Sequence, residues 1–169
     1  NPPNKKTVRE ILRDVFLEPQ IFLDTMSLTD ESMWAFVEEW RRIRPSIMHG
    51  HSHSIYIFSQ FCKKNHIKRI RPKGIISTSM MLMPNERYEI ESVFDCSVTN
   101  LYGCEEVGLI ACECEEHNGM HMNIENLYIE IIDQNGNIVD YEKEGSIVVT
   151  SLINHSMPLI RYKIEDIGI

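Results

Sequence analysis

Hydrophobic positions along the first hundred residues alternate between helical and strand spacing. Val8, Ile11, Leu12, Val15 and Phe16 share one helical face, with Arg9, Glu10, Arg13 and Asp14 opposite, which predicts an amphipathic helix over 7–16. Thr29 is placed to cap a second helix whose first turn carries Asp30 and Glu31, as the helix dipole favours. Met33, Phe36, Val37, Trp40 and Ile43 form its buried stripe, and Pro45 ends it. Trp34 and Trp40 therefore read as packing residues, not as a cofactor platform. A short strand over 46–49 follows, Gly50 opens a turn, and a helix burying Ile55, Phe58, Phe61 and Cys62 runs to Asn65. A strand over 73–78 has Gly74, Ile75 and Ile76 inside. Pro84 suits the first position of the next helix, which buries Ile90, Val93 and Phe94 before a strand over 97–102. Strand, helix, strand, helix, strand at these spacings predicts a parallel sheet.

Beyond Glu106 the pattern changes to strands over 107–114, 121–124, 127–133 and 146–152, with hairpin signals at Asn118-Gly119 and Asn135-Gly136. No helix is expected after Phe94. The fold class expected is α/β, with a parallel βαβ lobe over 1–106 and a mostly antiparallel β lobe over 107–169.

A chain of 169 residues supports one core, or one domain with a smaller lobe. Its net charge of −8 argues against nucleic acid or an anionic membrane as the main partner. Lys63, Lys64, Lys68, Arg69 and Arg71 cluster, but around a helix end and a loop, where a solvated terminus accounts for them. No stretch approaches the roughly 18 apolar residues of a membrane span, and Asn1 does not open a signal peptide. Five cysteines, an odd number without an export signal, point to a reducing compartment, the cytoplasm.

The chemistry-bearing positions lie mainly in the second half. Asn100 to Glu106 ends a buried strand with a flat ring, Tyr102, a bare backbone, Gly103, and an acidic pair, Glu105 and Glu106. In open α/β sheets ligands bind at that carboxyl edge. The ring can stack on a base, Gly103 lets a ligand approach the main chain, and Glu106 can hold a hard cation such as Mg²⁺. A tight turn with a solvated acidic loop explains the same residues equally well. His49, His51 and His53 alternate but sit around the first turn of a helix, so they do not converge on a metal. Cys112, Cys114, His117 and His121, with Cys104 upstream, offer five candidate ligands for a structural Zn²⁺. Cys112 and Cys114 would share a strand face, and a hairpin through Asn118-Gly119 would return His121 beside them. The competing reading is small buried cysteines and a turn histidine.

Tyr102-Gly103-Cys104-Glu105-Glu106 and Arg161-Tyr162-Lys163-Ile164-Glu165-Asp166 resemble the Tyr-Gly-x-Thr-Glu and Arg-Tyr-x-x-x-Asp motifs of adenylate-forming enzymes. Glu113-Cys114, Gly119-Met120-His121 and Glu130-Ile131-Ile132-Asp133 resemble the phenylacetate–coenzyme A ligase family, in its capsule-biosynthesis and coenzyme F synthetase-like branch. The resemblance runs from about Pro45 to the end and implies part of the large N-terminal domain of such an enzyme. It implies that a carboxylic acid is joined to AMP from ATP and passed to a thiol, coenzyme A, or alternatively to a protein thiol or a sugar amine in capsular polysaccharide biosynthesis. By that resemblance Tyr102 stacks on adenine, Gly103 lets the nucleotide approach, Glu106 is the catalytic Mg²⁺ ligand, and Asp166 accepts from both ribose hydroxyls. Arg161 would brace the turn before Asp166, and Cys114 and His121 match family positions as the leading zinc pair. Thr78 and Ser79 would touch the base, and the segments over 49–54 and 78–80 would border the acid.

Two departures stand against this. Glu105 replaces a threonine that contacts phosphate, and Met80 replaces an acid in the adenine pocket. The chain also holds no Gly/Ser/Thr-rich phosphate loop, and it ends before the family's hinge and its small C-terminal domain. The expectation is the central part of a larger enzyme, inactive by itself, with an acid substrate and coenzyme A or another acyl acceptor as partners. Nucleic acid and membrane are not expected, and a homodimer is an assembly open to it. The rival from another class is a non-catalytic nucleotide-binding or zinc-stabilised interaction module.

Overall fold

In a computed structural model, Thr7 and residues 20–169 are described, so the helix expected over 7–16 lies, apart from Thr7, outside the described residues. The chain divides into two compact units, Asn1–Thr99 and Asn100–Ile169.

In the first unit, α1 (Asp30–Ile43) starts where Thr29 caps it: the Ser32 amide donates to Thr29 Oγ1 at 3.2 Å, and the Thr29 amide donates to Ser32 Oγ at 3.0 Å. Met33, Val37 and Trp40, spaced four and three apart, form its buried stripe. Arg44 turns left-handed at φ 56° and gives its amide to the Trp40 carbonyl at 2.7 Å, closing the helix before Pro45. Next, β1 (Ile47–His51) lies parallel to β2 (Gly74–Thr78), with α2 (Ser52–Lys64) between them in the chain. Gly50, expected to open a turn, instead continues β1 and pairs with Ser77. Then α3 (Pro84–Phe94) has Pro84 in its first turn, and β3 (Val98–Cys104) follows.

Val37, Phe58, Ile75, Ile90, Phe94 and Val98 meet in one core, with the Phe58 ring 5.2 Å from Phe36 and 5.9 Å from Phe94. Each such side chain contributes roughly 1.5–3 kcal/mol by burial. Exposed helix pairs such as Arg42–Glu39 contribute at most about 1 kcal/mol. The core therefore holds this unit, not its surface ion pairs.

The second unit is built from hairpins. From Asn100 onward, β3 pairs antiparallel with β4 (Gly108–Cys112), which pairs with β5 (His121–Met122). A second sheet places β7 (Gly145–Ser151) between β6 (Leu127–Ile132) and β8 (Tyr162–Gly168), all antiparallel. Ile110, Leu127 and Val149 form its buried centre, packed by Tyr102, Ile129, Tyr162 and Ile164. Among the described residues no helix follows Phe94. The extent of β3 and the presence of β8 differ from expectation. β3 runs two residues past Tyr102 to Cys104, because a bulge at Tyr102/Gly103 lets pairing with β4 resume. β8 was not expected at all. Its alternation is interrupted at Glu165, which is left-handed at φ 67°, and its register with β7 shifts between Ser146 and Val148.

Candidate functional site

The Tyr102-Gly103 stretch is a bulge leading into a hairpin, not the end of a strand. A side-chain carbon on Gly103 would collide with the Gly108 carbonyl oxygen, so the neighbouring strand itself requires glycine there. Glu105, Glu106 and Val107 make a three-residue turn between Cys104 and Gly108, and Gly108 closes it at φ 76°. Both acids are exposed at the tip.

The Arg161-Tyr162 stretch arrives on β8. Arg161 is left-handed at φ 48°, and its amide donates to Thr150 Oγ1 at 2.9 Å. Its guanidinium donates to Glu130 Oε2 at 3.2 Å and to the Gly136 carbonyl at 3.1 Å, so it braces the strand entry. Tyr162 pairs with Val149, at the centre of the second unit's core. The left-handed turn at Glu165 re-aims the next side chain, Asp166.

The two stretches are joined by crossed contacts. The Tyr102 hydroxyl donates to Asp166 Oδ2 at 2.6 Å, and the Tyr162 hydroxyl donates to Glu106 Oε1 at 2.9 Å. Each stretch thus gives a phenol to a carboxylate of the other. Burial and the Asp166 carboxylate hold the Tyr102 phenol well above its ordinary pKa. Glu106 is held below the usual carboxylate value by its own backbone amide and by the Cys104 and Tyr162 side chains. The result is a half-buried ring beside exposed carboxylates, oxygen donors suited to a hard cation and to hydroxyl groups.

Two further acids, Glu113 and Glu130, attach to the same framework. Glu113 Oε2 accepts from the Asn100 amide at 2.8 Å and lies 3.2 Å from His117 Nδ1. Glu130 is the acid that receives Arg161. Of the candidate zinc ligands, Cys112 and His121 are direct cross-strand partners, whereas His117 is engaged by Glu113. Among the described residues no three His, Cys, Asp or Glu side chains are grouped so as to hold a metal ion.

In the first unit, Thr78 ends β2, and Ser79 is left-handed at φ 65°. Ser52 Oγ lies 3.0 Å from Ser77 Oγ and donates to the Met80 carbonyl at 2.8 Å, which pins this turn to the start of α2. His49 and His51 lie on β1, and His53 on the first turn of α2 faces Glu86 Oε1 at 2.9 Å, so the histidines do not converge. The sequence assigns Tyr162 no role of its own; its signal is the alternation of Tyr162 with Ile164, obscured by the break at Glu165. A hollow of about 440 Å³ lined by Ile131, Ile138, Tyr141 and Ile169 contains none of these residues.

No family model and no curated protein matches the chain. Solved structures do. An open conformation of 2-hydroxyisobutyryl-CoA ligase, in complex with 2-HIB-AMP and CoA, superposes with a TM-score of 0.75 at 18% identity over 85% of this chain. The fold is shared with part of the acid–CoA ligases. The anthranilate CoA ligase AuaEII, in complex with anthranoyl-AMP, matches with a TM-score of 0.56 at 14% identity over 73% of this chain. A long-chain-fatty-acid-CoA ligase, FadD1 from Archaeoglobus fulgidus, matches at 0.57 and 9% identity over 70%. The chain spans only 35%, 25% and 27% of the lengths of those three proteins. At these identities the likeness is one of fold. No helix among the described residues is long and apolar enough to cross a membrane.

Proposed function

We propose that this protein activates a carboxylic acid with ATP as an acyl-adenylate and transfers the acyl group to a thiol, coenzyme A, in the manner of phenylacetate–CoA ligases. One observation carries the reading. Tyr102 and Asp166, given the base and the ribose on sequence grounds, lie 64 positions apart in the chain and meet through a 2.6 Å hydrogen bond. A base stacked on the Tyr102 ring would set its ribose hydroxyls near Asp166, whose two oxygens together accept more than the one donor Tyr102 supplies. Glu130 and Glu113, the acids that mark the phenylacetate branch, brace Arg161 and Asn100 beside those residues, which supports that branch. The relatives of like fold that hold acyl-adenylates or coenzyme A add further support.

In the reaction, a carboxylate oxygen of the acid attacks the α-phosphorus of ATP, and pyrophosphate leaves. A thiolate then attacks the carbonyl carbon of the mixed anhydride, and AMP leaves. The residues described here hold the nucleotide for both steps, lowering the barrier by orientation. Mg²⁺ when bound offsets phosphate charge, and Glu106 fits it. Such ions are commonly held by one or two carboxylates together with substrate phosphates, so a single exposed carboxylate is enough. Thr78 and Ser79 are proposed to touch the base.

The test is pyrophosphate release by the full-length gene product with ATP, Mg²⁺ and a panel of aryl, fatty and amino acids, with and without coenzyme A. Release that depends on one acid and falls by at least about a hundredfold in Asp166→Ala is the expected result. That loss matches removal of hydrogen bonds to a charged acceptor. Tight AMP binding without release from any acid would favour the non-catalytic nucleotide-binding module.

A further inference from the structure

Glu106 sits on an exposed three-residue turn, where a long side chain ordinarily samples several rotamers. Here its carboxylate is held: Tyr162 Oη donates to Oε1 at 2.9 Å. Tyr162 is itself fixed. Its ring packs against the core of Ile110, Leu127 and Val149, its main chain pairs with Val149, and the residue before it is tied to Thr150, Glu130 and Gly136. A phenol anchored in a sheet thus aims a carboxylate carried on a turn.

The identity of the donor matters. An arginine or lysine in its place would hold Glu106 equally well but would cancel its charge, and with it the attraction for a cation. A phenol orients the carboxylate and leaves it negative. Resting on the function proposed above, we propose that Tyr162 is a positioning residue, fixing the orientation of the Glu106 carboxylate that would take Mg²⁺. Partners of this kind, one step removed from the metal, are worth about 10–100-fold in metal affinity.

The competing explanation is a clip that merely ties the Glu105–Val107 turn to β8. Calorimetry separates the two. ATP affinity is measured on the full-length gene product in Mg²⁺ and again in EDTA, for the unmodified protein, Tyr162→Phe, Glu106→Gln and the double variant. Phenylalanine keeps the packed ring and removes only the donor. A positioning role predicts that Tyr162→Phe weakens ATP about tenfold in Mg²⁺ and not in EDTA. It also predicts that the double variant is no weaker than Glu106→Gln alone. Equal weakening in both media would make the contact a clip and overturn the inference, as would no change in either. Mg²⁺-dependent ATP binding that shows the predicted pattern without pyrophosphate release would sink the adenylation reading and leave Tyr162 in its role. ATP affinity indifferent to Mg²⁺ in the unmodified protein would sink the inference, even if pyrophosphate were released.

Discussion

At the scale of single residues, the crossed tyrosine–carboxylate contacts are the feature from which function is argued. Tyr102 was assigned from its motif as a stacking ring, and nothing in the sequence indicated that its hydroxyl would be used. That bond has a titration consequence. The folded-state pKa of Tyr102 is raised, first by burial and then by Asp166, above the ordinary phenol value of 10. The stability it contributes is therefore fully present below about pH 10 and is lost as pH rises through the higher folded value. An absorbance titration of the phenolates should show one tyrosine ionising after the others. Tyr102→Phe should remove that late step and flatten the alkaline fall in stability. A late step that survives the substitution would assign it elsewhere, for instance to Tyr162, whose phenol Glu106 also holds above its usual value. Asp166 was legible as a candidate residue because its motif is short and contiguous. Its partner was not, because 64 positions separate the two.

At the scale of elements, the helices were legible and the edges of strands were not. Thr29, Pro45 and Pro84 mark helix ends through capping and ring geometry that act within a few residues, so local sequence suffices. β3 was read as ending at Tyr102 because Gly103 breaks the alternation. In the structure the break is a bulge, and Gly103 is small because the β4 backbone at Gly108 lies against it. A methyl group there has no room. Gly103→Ala should destabilise the protein by about 1–3 kcal/mol, as overpacking does, and should disturb the Glu105–Val107 turn along with the strand. Urea unfolding measures the first and nucleotide affinity the second. Unchanged stability would mean that β4 yields at little cost. β8 escaped prediction for a related reason: a left-handed Glu165 and a shift of register hide its period of two.

At the scale of the whole molecule, each unit has its own buried centre, one built from helices against a parallel strand pair and one from antiparallel strands. Ile90, fully buried in the first, should cost about 2–5 kcal/mol when cut to alanine. Hydrogen exchange should rise first in α1, α2 and α3. A loss below about 1 kcal/mol would mean that the site collapses around the smaller side chain. The parallel sense of β1 and β2, the helix between them and the change to antiparallel strands were all determined by the sequence alone. Hydrophobic period, caps and turn residues are local signals and need no partner to be read. The motif residues themselves were equally plain. Only the tertiary structure decided which side chains meet: Tyr102 with Asp166, Tyr162 with Glu106, and Arg161 with Glu130. Those pairings depend on strand register, on one bulge and on one left-handed residue. A shift of a single position in a strand turns every side chain to the other face.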